Sequence, residues 1–139
     1  MAYDPNNVFA KIIRGEIPCA KIYEDDDTLS FMDAMPQTDG HALIVPKRAQ
    51  AEDLLDMPPD ALHAVIVTTQ KIAQAVDRAF RPDGIRIMQF NRPAAGQSVF
   101  HIHFHVIPMY EGVPMKLHAR EMADKQVLAA QAEKIKAEL

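Results

Sequence analysis

The sequence predicts an α+β fold with a mainly antiparallel sheet of about five strands. Two observations carry this. Strand-like runs are joined by short turns, as in AKIYE and TLSFMDA around EDDD, or GIRIMQFN and VFHIHFHVIPM around RPAAGQS. Helical patterns sit between and after the strand groups rather than alternating with every strand. No repeat, low-complexity tract or linker interrupts the 139 residues, so one domain over 1–139 is expected.

Taken in order, Asn6-Asn7 can cap a short N-terminal helix through VFAKIIRG, which Gly15 ends. After Pro18 come AKIYE and TLSFMDA, a hairpin whose acidic turn EDDD reads as a solvated turn. The loop MPQTDG leads into HALIVP, a strand ended by Pro46, and AEDLLD forms a turn of helix. A long central helix begins at Pro58-Pro59, with Leu62, Val65, Ile66, Thr69, Ile72, Val76 and Phe80 as one buried stripe. RPDG turns into GIRIMQFN, and RPAAGQS into the strand VFHIHFHVIPM. The Ala-, Glu-, Lys- and Gln-rich stretch from His118 onward predicts a C-terminal helical tail over about 116–138.

Composition narrows the function. Apolar residues make up 48% and charged residues 24%, as in ordinary globular proteins. A net charge of −4 argues against nucleic acid as a partner. No apolar run approaches the ~18 residues of a membrane span, so no membrane partner is expected. MAYDPNNVFAK lacks a signal-peptide pattern, and Cys19 is the only cysteine, which together predict a cytoplasmic protein.

Three of the six histidines stand in FHIHFHVIP. On a strand, His101, His103 and His105 share a face at ~6.5–7 Å intervals, with Ile102, Phe104 and Val106 on the core side. Two chemistries suit that array. Two of the imidazoles could bind a metal, although the outer two lie ~13 Å apart, too far for one ion to take all three. Further ligands would have to come from His41, His63, His118 or a carboxylate. Alternatively, a neutral imidazole attacks phosphorus while its neighbours donate hydrogen bonds or protons. Ala95-Gly96-Gln97-Ser98, just before the histidines, offers an anion-binding turn with an amide and a hydroxyl.

The run GQSVFHIHFHVIP resembles the signature of the histidine-triad (HIT) family, matched at every position from His101 to Ile107. VFAKIIRGEIP and FMDAMPQTDGHALIVPK resemble the corresponding family segments in order and spacing, so the likeness spans about 6–112. The resemblance implies a HIT-like fold and a homodimer. It implies a nucleotide hydrolase or transferase acting at the α-phosphorus through a nucleotidyl-histidine. His103 then corresponds to the nucleophile, oriented by the backbone carbonyl of His101. His105, Gln97 and Ser98 correspond to phosphate-contacting groups, and Ser98 also lies where it could reach the leaving group. Asp33 corresponds to the ribose-binding carboxylate. Phe9, Ile12, Phe31, Val99 and Val8 correspond to the wall around the base, Asn91 to a polar residue near the ribose–phosphate junction, and His41 to a support for the first triad histidine.

Three departures qualify the resemblance, one of them Arg92-Pro93 in a loop that is often glycine-containing in the family. Asn7 and Ala10 stand where some members carry a zinc-binding Cys-x-x-Cys, so neither a metal nor another cofactor is expected. The C-terminal helix replaces the short tail of the phosphoramidase branch. Cys19, His63, His118, Lys47 and Arg48 read as structural or surface residues. The resulting expectation is a bacterial-type purine nucleoside 5′-phosphoramidate hydrolase acting on AMP or GMP derivatives. The alternatives are a dinucleoside polyphosphate hydrolase, a metal-binding HxHxH protein and a nucleotide-binding regulator.

Overall fold

A computed structural model describes residues 2–117 and 120–139. Asn7 opens α1 (Val8–Ile13) by accepting the Ala10 N–H on its side-chain oxygen, and Gly15, at φ 80°, takes the left-handed conformation that ends it. The strands β1 (Lys21–Glu24) and β2 (Thr28–Met32) form the expected hairpin. Its acidic turn is closed by Asp25, whose Oδ1 accepts the N–H groups of Asp27 and Thr28. There follow β3 (Ala42–Pro46), α2 (Pro59–Phe80), β4 (Gly84–Met88), β5 (Phe104–Met109) and α3 (Lys125–Lys136). The five strands pair antiparallel throughout, in the order β1-β2-β3-β5-β4.

The period-two alternation of the strands divides the core into two layers. Met32, Ala42, Ile44, Ile102, Phe104 and Val106 pack with Val65, Ile72 and Val76 of α2 and Leu128, Ala132 and Ile135 of α3. The opposite face holds Leu29, Phe31, Leu43 and Val45 under Phe9 of α1. The polar groups of the site therefore share the α1 face, while both longer helices support the sheet from behind.

Four expectations need correction. Ile66 lies outside the buried stripe of α2, 46% exposed, because the buried arc runs through Val65, Thr68, Thr69, Ile72, Ala75 and Val76. The strand GIRIMQFN stops at Met88. The last strand starts at Phe104, not Val99, because the Ile102 N–H bonds Ala51 O, outside the sheet. Helix α3 starts late, since Asp124 caps it through the Gln126 and Val127 N–H groups. Upstream, Lys116 N–H and Ala123 N–H bond the carbonyls of Gln37 and Ala34 in the β2–β3 loop. His118 lies outside the described residues. Among the described residues no helix is long and apolar enough to cross a membrane.

Candidate active site

The site grows from the register of three neighbouring strands. Asp33 follows β2 and donates its N–H to His41 O, directly ahead of β3, while His105 of β5 pairs with Leu43. Asp33, His41 and His105 therefore form a polar diagonal across the α1 face. His41 Nε2 lies 2.9 Å from His105 Nδ1 and 3.4 Å from Asp33 Oδ2.

His101 and His103 precede β5, yet backbone alternation keeps them on this face. His103 Nδ1 is 2.8 Å from His101 O. A carbonyl only accepts, so Nδ1 carries the proton and His103 Nε2 carries a lone pair. The Phe9 ring meets His103 edge-on at 4.8 Å, and the ring of His105 lies 5.0 Å away. His101 is held on both sides. Its Nε2 donates to Pro46 O at 2.9 Å, which leaves Nδ1 to accept the Tyr3 hydroxyl at 2.6 Å. Burial pushes its pKa down to about 4 against 6.5 in the open chain, partly opposed by the Pro46 bond.

That displacement has a measurable consequence. Between pH 6.5 and about 4 the unfolded chain protonates His101 and the folded chain does not, so folding stability falls with pH across that window. The loss amounts to about 3 kcal/mol. In urea titrations from pH 7 to 4, the stability difference between wild type and His101→Gln should shrink by that amount. Parallel curves for the two proteins would contradict a buried neutral imidazole.

A cleft of about 720 Å³ opens over these groups. Phe9, Ile12, Phe31, Val8 and Val99 line it, together with Asp33, Ser98, His103 and His105. Desolvation raises the Asp33 carboxyl from 3.8 to about 6, partly opposed by the Met35 N–H. Cys19 also faces the cleft, with burial pushing its thiol up, which suits an inert side chain.

Three expected placements change. Gln97 is 5% exposed and faces away from the cleft: its amide donates to Glu52 O and Val99 O, and its oxygen accepts the Arg92 N–H. With every polar atom spent on backbone, it braces the loop and holds Arg92 at φ 79°, a costly conformation outside glycine. Asn91 accepts the Leu54 N–H and the Gln89 amide, and so ties two loops together away from the cleft. His41 supports the third triad histidine instead of the first, because strand register sets it diagonal to His105. Tyr3 takes the place beside His101. Tyr3 and Gln37, whose N–H bonds His41 Nδ1, carried no signal in the sequence. Met122, Lys125, Leu128 and Ala129, from α3 and the residues leading into it, also reach the cleft, a role hidden while the tail could not be placed.

Asp33, His41 and His105 bring three ligand-type atoms within 4.8 Å of one another. The donor chemistry fits a metal poorly. Because Gln37 N–H donates to His41 Nδ1 at 3.0 Å, the ring proton of His41 sits on Nε2, the atom a metal would need. Moving that proton to Nδ1 would set it against the Gln37 N–H. At the positions of the Cys-x-x-Cys, Asn7 caps α1 and Ala10 is buried.

Residues 14–112 match the HIT domain family. A crystal structure of a Hit-like protein involved in cell-cycle regulation from Bartonella henselae superposes with a TM-score of 0.92 at 48% identity, covering 99% of this chain and 100% of that one. A zinc-bound histidine triad family protein from Mycobacterium smegmatis gives a TM-score of 0.81 at 35% identity, over 96% of this chain and 92% of that one. The Arabidopsis thaliana adenylylsulfatase HINT3 is 42% identical over 104 residues, which are 75% of this chain and 52% of that protein. The match covers His101, His103, His105 and the polar diagonal alike, and the chain belongs to the HIT family as a nucleotide-binding enzyme of the hydrolase/transferase type.

Proposed function

We propose that the enzyme hydrolyses purine nucleoside 5′-phosphoramidates, with His103 as the nucleophile toward the α-phosphorus. The observation that carries this is the His103 Nδ1 to His101 O bond, which puts the proton on Nδ1 and the lone pair on Nε2, the atom that attacks. Attack forms an Nε2–P bond and expels the amine, which takes up a proton. Water then cleaves the Nε2–P bond and releases the nucleoside monophosphate. His105 faces the same cleft and stabilises charge on the phosphoryl oxygens, and exposed Ser98 stands at its edge for the leaving group. Asp33 accepts the ribose hydroxyls, and Phe9, Ile12, Phe31 and Val99 enclose the base. The name of the Arabidopsis relative, an adenylylsulfatase, likewise points to an adenylyl compound.

A homodimer in the cytoplasm completes the proposal. The outer edge of β4 ends the sheet, and Ile66 and Val67 of α2 and Ile87 of β4 remain 46–48% exposed, apolar side chains that a second copy would cover.

Turnover of adenosine and guanosine phosphoramidates, adenylyl sulfate and diadenosine polyphosphates tests the substrate class. Phosphoramidates are expected to give the highest kcat/KM. Preference for the polyphosphates would make the protein a dinucleoside polyphosphate hydrolase, and tight nucleotide binding without turnover would make it a regulator. Because the His41 proton occupies the atom a metal would need, exhaustive chelation should leave the rate unchanged. Loss of activity restored by zinc would contradict a metal-free mechanism.

A further inference from the structure

His41 has one proton and two acceptors within reach. Gln37 N–H fixes the lone pair on Nδ1, so the proton sits on Nε2, between His105 Nδ1 at 2.9 Å and Asp33 Oδ2 at 3.4 Å. Both imidazoles are at most 1% exposed, and the Asp33 side chain is 14% exposed. A carboxylate shielded from water attracts an N–H more strongly than a neutral ring nitrogen does. Asp33 Oδ1 already accepts the Met35 N–H at 2.8 Å, so Oδ2 is the oxygen turned toward His41.

We propose that Asp33 is a positioning residue for the reaction as well as a ribose contact. Donation from the ribose hydroxyls satisfies its carboxylate and leaves the His41 proton wholly to His105 Nδ1. His105 is then held in the tautomer whose Nε2–H donates to the phosphoryl group. This rests on the assignment of Asp33 to the ribose. Its consequence is separate: the enzyme reads the sugar in kcat and not only in binding. With a substrate lacking both hydroxyls, the carboxylate keeps its pull on the shared proton and His105 is imperfectly oriented. The loss of one well-formed hydrogen bond corresponds to about tenfold in rate.

The deciding experiment compares single-turnover rates at saturation for adenosine 5′-phosphoramidate and its 2′,3′-dideoxy counterpart, in wild type and Asp33→Ala. Wild type is expected to process the ribose substrate about tenfold faster. In Asp33→Ala the competing carboxylate is gone, so the dideoxy rate should rise above that of wild type and the two substrates should converge. If Asp33 only holds the sugar, its removal leaves the dideoxy rate unchanged or lower, which overturns the proposal. Nitrogen-15 NMR of His105 needs no variant. AMP should fix the Nε2–H tautomer in wild type and 2′,3′-dideoxy-AMP should not; identical His105 spectra with the two ligands overturn the coupling. Equal affinity of wild type for the two ligands would remove the ribose assignment and the coupling with it. Unequal affinity with equal rates would remove the coupling alone.

Discussion

Replacing His103 with alanine should lower turnover by about four orders of magnitude or more, as removal of a covalent nucleophile does elsewhere. Binding of the nucleoside monophosphate should stay largely intact, because the base wall and Asp33 are untouched. The reason is stereoelectronic. Among the described histidines, only His103 combines a committed Nδ1–H with a lone pair on Nε2 in the cleft, since His101 spends both ring nitrogens on Pro46 O and the Tyr3 hydroxyl. With a ribose substrate bound, His105 accepts the His41 N–H at Nδ1 and presents a donor. His101→Ala and His105→Ala should therefore be milder, the first disturbing the carbonyl that orients His103 and the second removing charge stabilisation. Single-turnover kinetics with calorimetric titration of AMP checks this. Substantial activity in His103→Ala would remove the covalent mechanism.

Asp33→Ala should weaken binding of a ribonucleotide far more than that of its 2′,3′-dideoxy counterpart. A carboxylate receiving two hydroxyls makes charge-assisted bonds worth about 1.5–3 kcal/mol each. Allowing for partial replacement by water, the loss should be on the order of tenfold to several hundredfold in affinity. Because burial raises the Asp33 pKa to about 6, this discrimination should itself fade as pH falls through that value and the carboxylate becomes neutral. The dideoxy ligand offers no donors and should lose little. Titrations of both ligands, with thermal melts as a folding control, distinguish this from local disorder, which would weaken both alike.

Much of the architecture was legible because its signals are local. Asn7 and Gly15 bound α1, Pro59 starts α2, and the hairpin around EDDD follows from turn composition. The histidine face was legible because strand alternation requires only the order of residues. What escaped depends on partners far apart in the chain. Tyr3 meets His101 across 98 positions, and Gln97 is consumed by Glu52 O, 45 positions away. Neither pairing leaves a periodicity. His41 was expected beside His101 and lies beside His105 because the β3–β5 register, not the motif, sets its neighbour. Ile66 illustrates the limit of a helical stripe read without knowing the width of the surface beneath it. The C-terminal helix was foreseen, but its contribution to the cleft through Leu128 and Ala129 depends on long-range bonds such as Ala123 N–H to Ala34 O.

The most direct test of the central claim is the stereochemical course at phosphorus. A nucleoside phosphoramidothioate of defined configuration, hydrolysed in oxygen-18 water, yields a chiral product whose configuration reports the number of displacements. Two in-line displacements, the first by His103 and the second by water, predict net retention. Net inversion would mean that water attacks the substrate directly, and would contradict the nucleotidyl-histidine.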